Sequence, residues 1–178
     1  MIQGIVPTAL YCDGGVIQKN PSTIGGTWAW CGVDAEGKRI IERGGVCPAP
    51  RGIPITNNHT EQIAITLALE AMPDGWSGTV YSDSMVALGR VFQGWRTKNL
   101  PANISRRSAE AVARLGKIEF VLLQGHPTKT DLERGIGAKR ELPVSIHNVW
   151  CDEECGRQAK EYLRQLSRPA IDSTAQAA

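Results

Sequence analysis

No apolar run in this chain approaches the 18 residues that a membrane-crossing helix needs, and no basic start leads into a short apolar core. The expectation is a protein that neither spans a membrane nor is exported. A disulfide framework is missing too. Cys12, Cys31, Cys47, Cys151 and Cys155 are odd in number and irregular in spacing, which suits free thiols in a reducing cytoplasm. Nor is there charge of one dominant sign: 20 Lys and Arg stand against 18 Asp and Glu, so net charge neither marks nor excludes a polyanionic partner. Repeats and flexible linkers are absent. Residues 1–167 are therefore expected to form one domain, with 168–178 a disordered tail.

What is present is an ordinary globular composition, 42% hydrophobic, in a chain long enough to bury roughly two-thirds of its unfolded surface. Short β-prone runs at 8–12, 27–33 and 38–46, separated by turn residues, read as an antiparallel meander. The first run ends at Asp13-Gly14-Gly15. After a Pro-rich loop, Thr56 to Met72 reads as a helix stopped by Pro73-Asp74-Gly75. Strands at 78–82 and 118–123 then alternate with helices at 85–94 and 105–115. Strand–helix–strand crossovers are right-handed, so these two strands should run parallel to the first. The nearly continuous apolar run at 118–123 predicts a strand covered on both faces. The fold class is α/β: a mixed five-stranded sheet, three antiparallel strands then two parallel, flanked by helices. Residues 127–147 read as an inserted loop without clear period, before a last helix at 150–166.

Four carboxylates stand at the ends of these elements. Glu61 has Ala64, Ile65, Ala68 and Met72 at +3, +4, +7 and +11, so it lies on the stripe facing the core. Asp13 closes the first strand, Asp83 closes the first parallel one, and Asp152 falls in the first turn of the last helix. Each has a plain explanation. Glu61 could close a capping box on Asn58, the two aspartates could be turn residues, and Asp152 could answer a helix dipole. Together they point elsewhere. Strands one and four are the natural neighbours where strand order reverses, and ligands of open α/β sheets gather there. Acids converging there must hold protons or hard divalent cations, and two such ions about 4 Å apart suit in-line attack on a phosphate. Cys151 and Cys155 continue through Ala159, Tyr162 and Leu166 at helical spacing and read as core packing, not as half a zinc site. Arg96, Lys98, Arg106, Arg107, Arg114 and Lys117, set against Glu110 alone, form either a phosphate-facing patch or a solvated helix face.

Asp13-Gly14-Gly15, Thr56-Asn57-Asn58-His59-Thr60-Glu61, Tyr81-Ser82-Asp83-Ser84, Gln124-Gly125-His126 and Asn148-Val149-Trp150-Cys151-Asp152-Glu153 occur in that order. In residues and order the chain resembles type 1 ribonuclease H over nearly its whole length. The resemblance implies an endonuclease that hydrolyses the RNA strand of RNA/DNA hybrids with two Mg2+ ions, Mn2+ substituting, and leaves 5′-phosphate and 3′-hydroxyl ends. It implies a monomeric enzyme whose partner is the hybrid. By the same resemblance Asp13, Glu61, Asp83 and Asp152 bind metal, with Asp13 bridging the ions, and His126 assists proton transfer or product release. Glu61 also accepts a hydrogen bond from the ribose 2′-OH. Gly14, Thr56, Asn57, Asn58 and Ser84 contact the substrate.

The chain departs from that pattern at three places. The interval between Asp83 and His126 is too short for the cation-rich protrusion of many bacterial members. The 127–147 insertion is longer than usual, and reads as a lid, a substrate handle or a tolerated loop. The phosphate-pocket arginine falls on Pro54, with Arg51 nearby. Two rival readings remain: a nuclease of the same fold with another nucleic-acid substrate, and a catalytically silent hybrid-binding module. The ribose-reading Asn57-Asn58…Glu61 block argues against the first, and four retained acids, which would repel phosphates, against the second.

Overall fold

The computed structural model of the protein describes residues 6–96 and 102–167; the expectations for Lys98 and for 168–178 lie outside them. Along the chain come β1 (Ala9–Val16), β2 (Gly25–Val33), β3 (Arg39–Pro48), α1 (Asn57–Glu70), β4 (Gly78–Ser82), α2 (Met85–Phe92), α3 (Ala102–Arg114), β5 (Ile118–Leu122), α4 (Lys129–Arg134) and α5 (Ile146–Ser167). The sheet order is β3-β2-β1-β4-β5. β1–β2 and β2–β3 pair antiparallel, and β1–β4 and β4–β5 pair parallel. This is the mixed sheet the sequence predicts, with β1 and β4 side by side at the reversal.

Alternation along the central strands gives the sheet two apolar faces. Leu10, Cys12, Trp30 and Val80 pack under Ala64, Ile65, Ala68, Leu69 and Met72 of α1 and Ala87, Leu88 and Val91 of α2. On the other face Ala29, Cys31 and Val33 pack against Cys151 and Cys155 of α5. All five cysteines are free, and two of them dock α5: Cys151 Sγ donates to the Tyr11 carbonyl at 3.3 Å and Cys155 Sγ to that of Asp13 at 3.6 Å. The core-packing reading of this pair holds, although Leu166, assigned to the same stripe, is exposed. No helix among the described residues is long and apolar enough to cross a membrane.

Several sequence expectations are corrected. Asp13 does not end its strand: β1 runs on to Val16 because β2 supplies partners throughout, Asp13 opposite Ala29 and Val16 opposite Gly26. α1 is capped by Thr56 rather than Asn58. His59, not Glu61, reaches back, its Nδ1 accepting from the Thr56 N–H at 3.3 Å. The strand β5 is an edge strand with Glu119 and Phe120 exposed, since its apolar run packs on one side only, Phe120 stacking on Phe92 at 5.1 Å. α5 starts at Ile146, four residues early, which moves Asp152 into the second turn and away from the dipole at the helix end. The 127–147 segment is not structureless. It contains α4, a left-handed Gly135 that ends it, and a bridge between Ile136 and Pro143.

Two glycines seat the start of α1 on the sheet. A Cβ on Gly14 would lie 2.3–2.6 Å from backbone atoms of Thr60 and Glu61, and one on Gly26 2.2 Å from Thr60 Cγ2. Backbone cannot yield as a flexible side chain can. Gly14→Ala is therefore expected to destabilise the protein by roughly 3 kcal/mol through overpacking, measured by denaturant unfolding; an unchanged midpoint would refute this seating.

Candidate active site

Three elements bring carboxylates to one point. Asp13, 8% exposed, stands in mid-β1 with Oδ1 accepting from the Gly14 N–H at 2.7 Å. Because Gly14 lets α1 approach, Glu61 in the first turns of that helix comes against it. Asp83 follows the last residue of β4, walled by Gly125, where a Cβ would lie 2.2 Å from Asp83 Oδ2. Carboxylate oxygens of Asp13, Glu61 and Asp83 all lie within 4.8 Å of one another.

That proximity has an electrostatic cost. Burial pushes the Asp13 carboxyl well above the usual range, and Asp83, Asp152 and Glu61 push it further, against the Gly14 N–H. Glu61 is pushed up to about 7, first by burial and then by Asp83, with the Ser84 hydroxyl and Arg90 opposing. Asp83 is raised by burial and by Asp152, against its backbone hydrogen bond and His126. Glu61 Oε2 and Asp83 Oδ1 are buried without a hydrogen-bond partner among the described residues. An all-oxygen donor set with unsatisfied lone pairs fits a hard divalent cation.

The fourth acid is placed differently. Asp152 is half-exposed on α5, outside the three-carboxylate cluster, with Oδ2 3.4 Å from His126 Nδ1. With Asp83, Asn148, Val149 and Glu153 this pair lines a cleft of about 240 Å3. His126 is exposed and sits in the left-handed region at φ 49°. Ser84 caps α2, its Oγ accepting from the Ala87 N–H at 3.2 Å, and also serves Glu61. Thr56 caps α1, and Asn57 and Asn58 are exposed in its first turn. Gly14 is buried, and the close approach it permits is to α1.

Sequence comparison alone finds nothing: no protein-family model fits the chain and no curated protein matches it. Solved structures do match. The N-terminal RNase H domain of Rv2228c from Mycobacterium tuberculosis superposes with TM-score 0.61 at 13% identity, covering 90% of this chain and 99% of that one. RNase H1 from the halophilic archaeon Halobacterium salinarum gives 0.58 at 18%, covering 86% and 97%. LC11-RNase H1, solved in complex with an RNA/DNA hybrid, gives 0.61 at 19%, covering 87% and 98%. The chain has the ribonuclease H fold.

Within this ribonuclease H fold, several residues at the site escape sequence reasoning. Asn148, 4% exposed, lines the cleft, and its buried Oδ1 has no hydrogen-bond partner among the described residues; its spacing of four before Asp152 on one helix was the available signal. Arg90 of α2 lies near Glu61 and reaches the Asn58 carbonyl at 3.5 Å. Of the cations that the sequence offers as either a phosphate-facing patch or a solvated helix face, four are paired. Arg107 pairs bidentately with Glu70, Arg114 with Asp74 and the carbonyls of Leu69 and Glu70, Arg106 with Glu110, and Lys117 with Glu119.

Glu61, raised to about 7 from an ordinary 4.5, favours its neutral form when the metal-free protein folds. The stability this contributes is fully present below about pH 4.5 and is lost as the pH rises through about 7. Thermal melts in chelator should therefore show a falling midpoint between about pH 5 and pH 8. Glu61→Gln should flatten the fall, and magnesium should restore stability at the alkaline end. A wild-type midpoint that climbs across this window would contradict the buried-charge account.

Proposed function

We propose that the chain is an endonuclease that hydrolyses the RNA strand of RNA/DNA hybrids with two Mg2+ ions, Mn2+ being able to substitute, and leaves 5′-phosphate and 3′-hydroxyl ends. The observation that carries this reading is the cluster of Asp13, Glu61 and Asp83 within 4.8 Å, at the reversal of strand order in a ribonuclease H fold. The hybrid captured by LC11-RNase H1 on the same fold supports the substrate class.

Asp13, Glu61 and Asp83 would hold the metal, with Asp152 of α5 as a further carboxylate beside the cleft. When bound, the ions neutralise the scissile phosphate and lower the pKa of the attacking water. In the hydrolysis one P–O bond forms to water as the bond to O3′ breaks, and a proton ends on the departing oxygen. His126, exposed and beside Asp152, is the group that carries a proton across the cleft. Glu61 accepts from the ribose 2′-OH, which DNA lacks. Asn57 and Asn58, exposed beside it, offer amide donors and acceptors to sugar and base edges. Gly14, Thr56 and Ser84 contribute by holding α1 and α2 where these contacts converge.

With magnesium, the purified protein should cut the RNA of a labelled hybrid, spare duplex DNA, and stop in chelator. Equal cutting of a DNA duplex would assign it to a nuclease with another substrate, and binding without cutting to a silent hybrid-binding module. Asp83→Asn should keep the fold, judged by circular dichroism, and lower turnover by at least about a hundredfold; wild-type turnover would dismantle the metal site. His126→Ala should leave a slower enzyme, roughly a hundredfold down at the low end for a lost proton carrier. Unchanged single-turnover rates would remove His126 from the chemistry.

A further inference from the structure

The inserted lobe, residues 127–145, is braced onto Gln124, the residue before the Gly125 that walls Asp83. Its near anchor is Gln124, 6% exposed, just past the end of β5. The Gln124 Oε1 accepts from the N–H groups of both Lys139 (3.2 Å) and Arg140 (3.1 Å), and its own N–H donates to the Pro143 carbonyl at 3.0 Å. Gly137 lies against the same side chain, where a Cβ would meet it at 2.2 Å. The far anchor is Asp131, 4% exposed. It accepts from the Thr128 N–H at 2.9 Å, the Thr128 hydroxyl at 2.8 Å and the Ala138 N–H at 2.9 Å. Both braces hold backbone, so the Lys139–Arg140 turn is fixed while its side chains stay free.

The charge account of the lobe is uneven. Asp131 is consumed internally, and Glu133 lies 3.9 Å from Lys129. Arg134, Lys139 and Arg140 form no ion pair among the described residues, and only Glu141 remains to offset them. On α3 the opposite holds, since four of its neighbourhood's cations are spent on Glu110, Glu70, Asp74 and Glu119. Arg90 and Arg96 also form no ion pair among the described residues, so a polyanion laid across the carboxylates finds unpaired positive charge on the α2 side and, in the lobe, on the β5 side. The strand order places β5 beside β4, whose last residue immediately precedes Asp83, the two strands lying one strand spacing or ~4.8 Å apart, and Gly125 joins Gln124 to the wall of Asp83.

We propose that this lobe is a second, pre-formed contact for the phosphodiester backbone, made by Lys139 and Arg140, which holds the nucleic-acid strand on the β5 side of the carboxylate cleft. The proposal rests on the nuclease reading above and adds to it a contact outside the carboxylate cluster. Because the turn is fixed before binding, little ordering entropy opposes the contact.

The test is binding of a labelled RNA/DNA hybrid, followed by fluorescence anisotropy in chelator so that nothing is cut, across a salt series. Lys139→Gln with Arg140→Gln removes both charges and leaves the backbone braces; its melting midpoint should match the wild type. Each lost phosphate contact shrinks the slope of log affinity against log salt by about 0.7–0.9. The double variant should accordingly bind roughly tenfold more weakly at low salt and show a slope smaller by about one to two. Lys38→Ala, in the turn between β2 and β3 at the opposite end of the sheet, should change neither. A double variant with wild-type affinity and slope, in a protein that still cuts hybrid, overturns the lobe contact alone. An equal loss in Lys38→Ala also overturns it, by showing that bulk charge explains the effect. A wild-type protein that neither binds nor cuts hybrid overturns the nuclease reading and the lobe contact with it.

Discussion

Mutual repulsion among Asp13, Glu61 and Asp83 is the constraint on which the rest of the molecule depends. Two unit charges 4 Å apart interact by about 4 kcal/mol at the effective dielectric of a protein surface, and here three acids share a space of 4.8 Å with two buried oxygens unsatisfied. Without a cation the cluster must keep protons, which is what the raised Asp13, Glu61 and Asp83 express. The fold tolerates this because apolar packing on both faces of the sheet holds the elements that carry the acids. A functional site is where local rules are broken and the surrounding core compensates.

Small residues govern how close the acids come. Gly14 and Gly26 form a saddle into which the first turn of α1 settles, and Gly125 leaves room for the Asp83 carboxylate. On the other face thiol contacts to β1 carbonyls fix α5 and thereby Asp152. Thus a buried cysteine pair packs α5, the helix that carries the fourth acid, against β1 and β2. The capping duties around the site fall to other residues, Thr56 with His59 and Ser84, which leaves Glu61 free to face the cluster.

Cations are distributed by the same logic of reach. Those of α3 lie opposite Glu70 and Asp74 and the end of α1, where carbonyls need donors, so they become struts. In the lobe after β5, Lys139 and Arg140 form no ion pair among the described residues, and its polar side chains are used instead to fix backbone.

Local pattern determined a great deal. Alternation and turn residues gave the meander, the strand–helix–strand rhythm gave the parallel pair, and the short blocks contain the three acids that the fold brings together. Each of these is written in neighbours a few residues apart, where periodicity and turn chemistry act. Only the tertiary structure decided that β1 runs through Asp13, that β5 is an edge, and that Asp152 stands apart from the other three acids with His126. It alone decided that Asn148 and Arg90 join the site, that the α3 cations are paired, and that the insertion is a braced lobe. These depend on which groups meet across the fold. Hydrogen bonding, ion pairing and strand partnership are satisfied by atoms distant in sequence, and no local spacing specifies them.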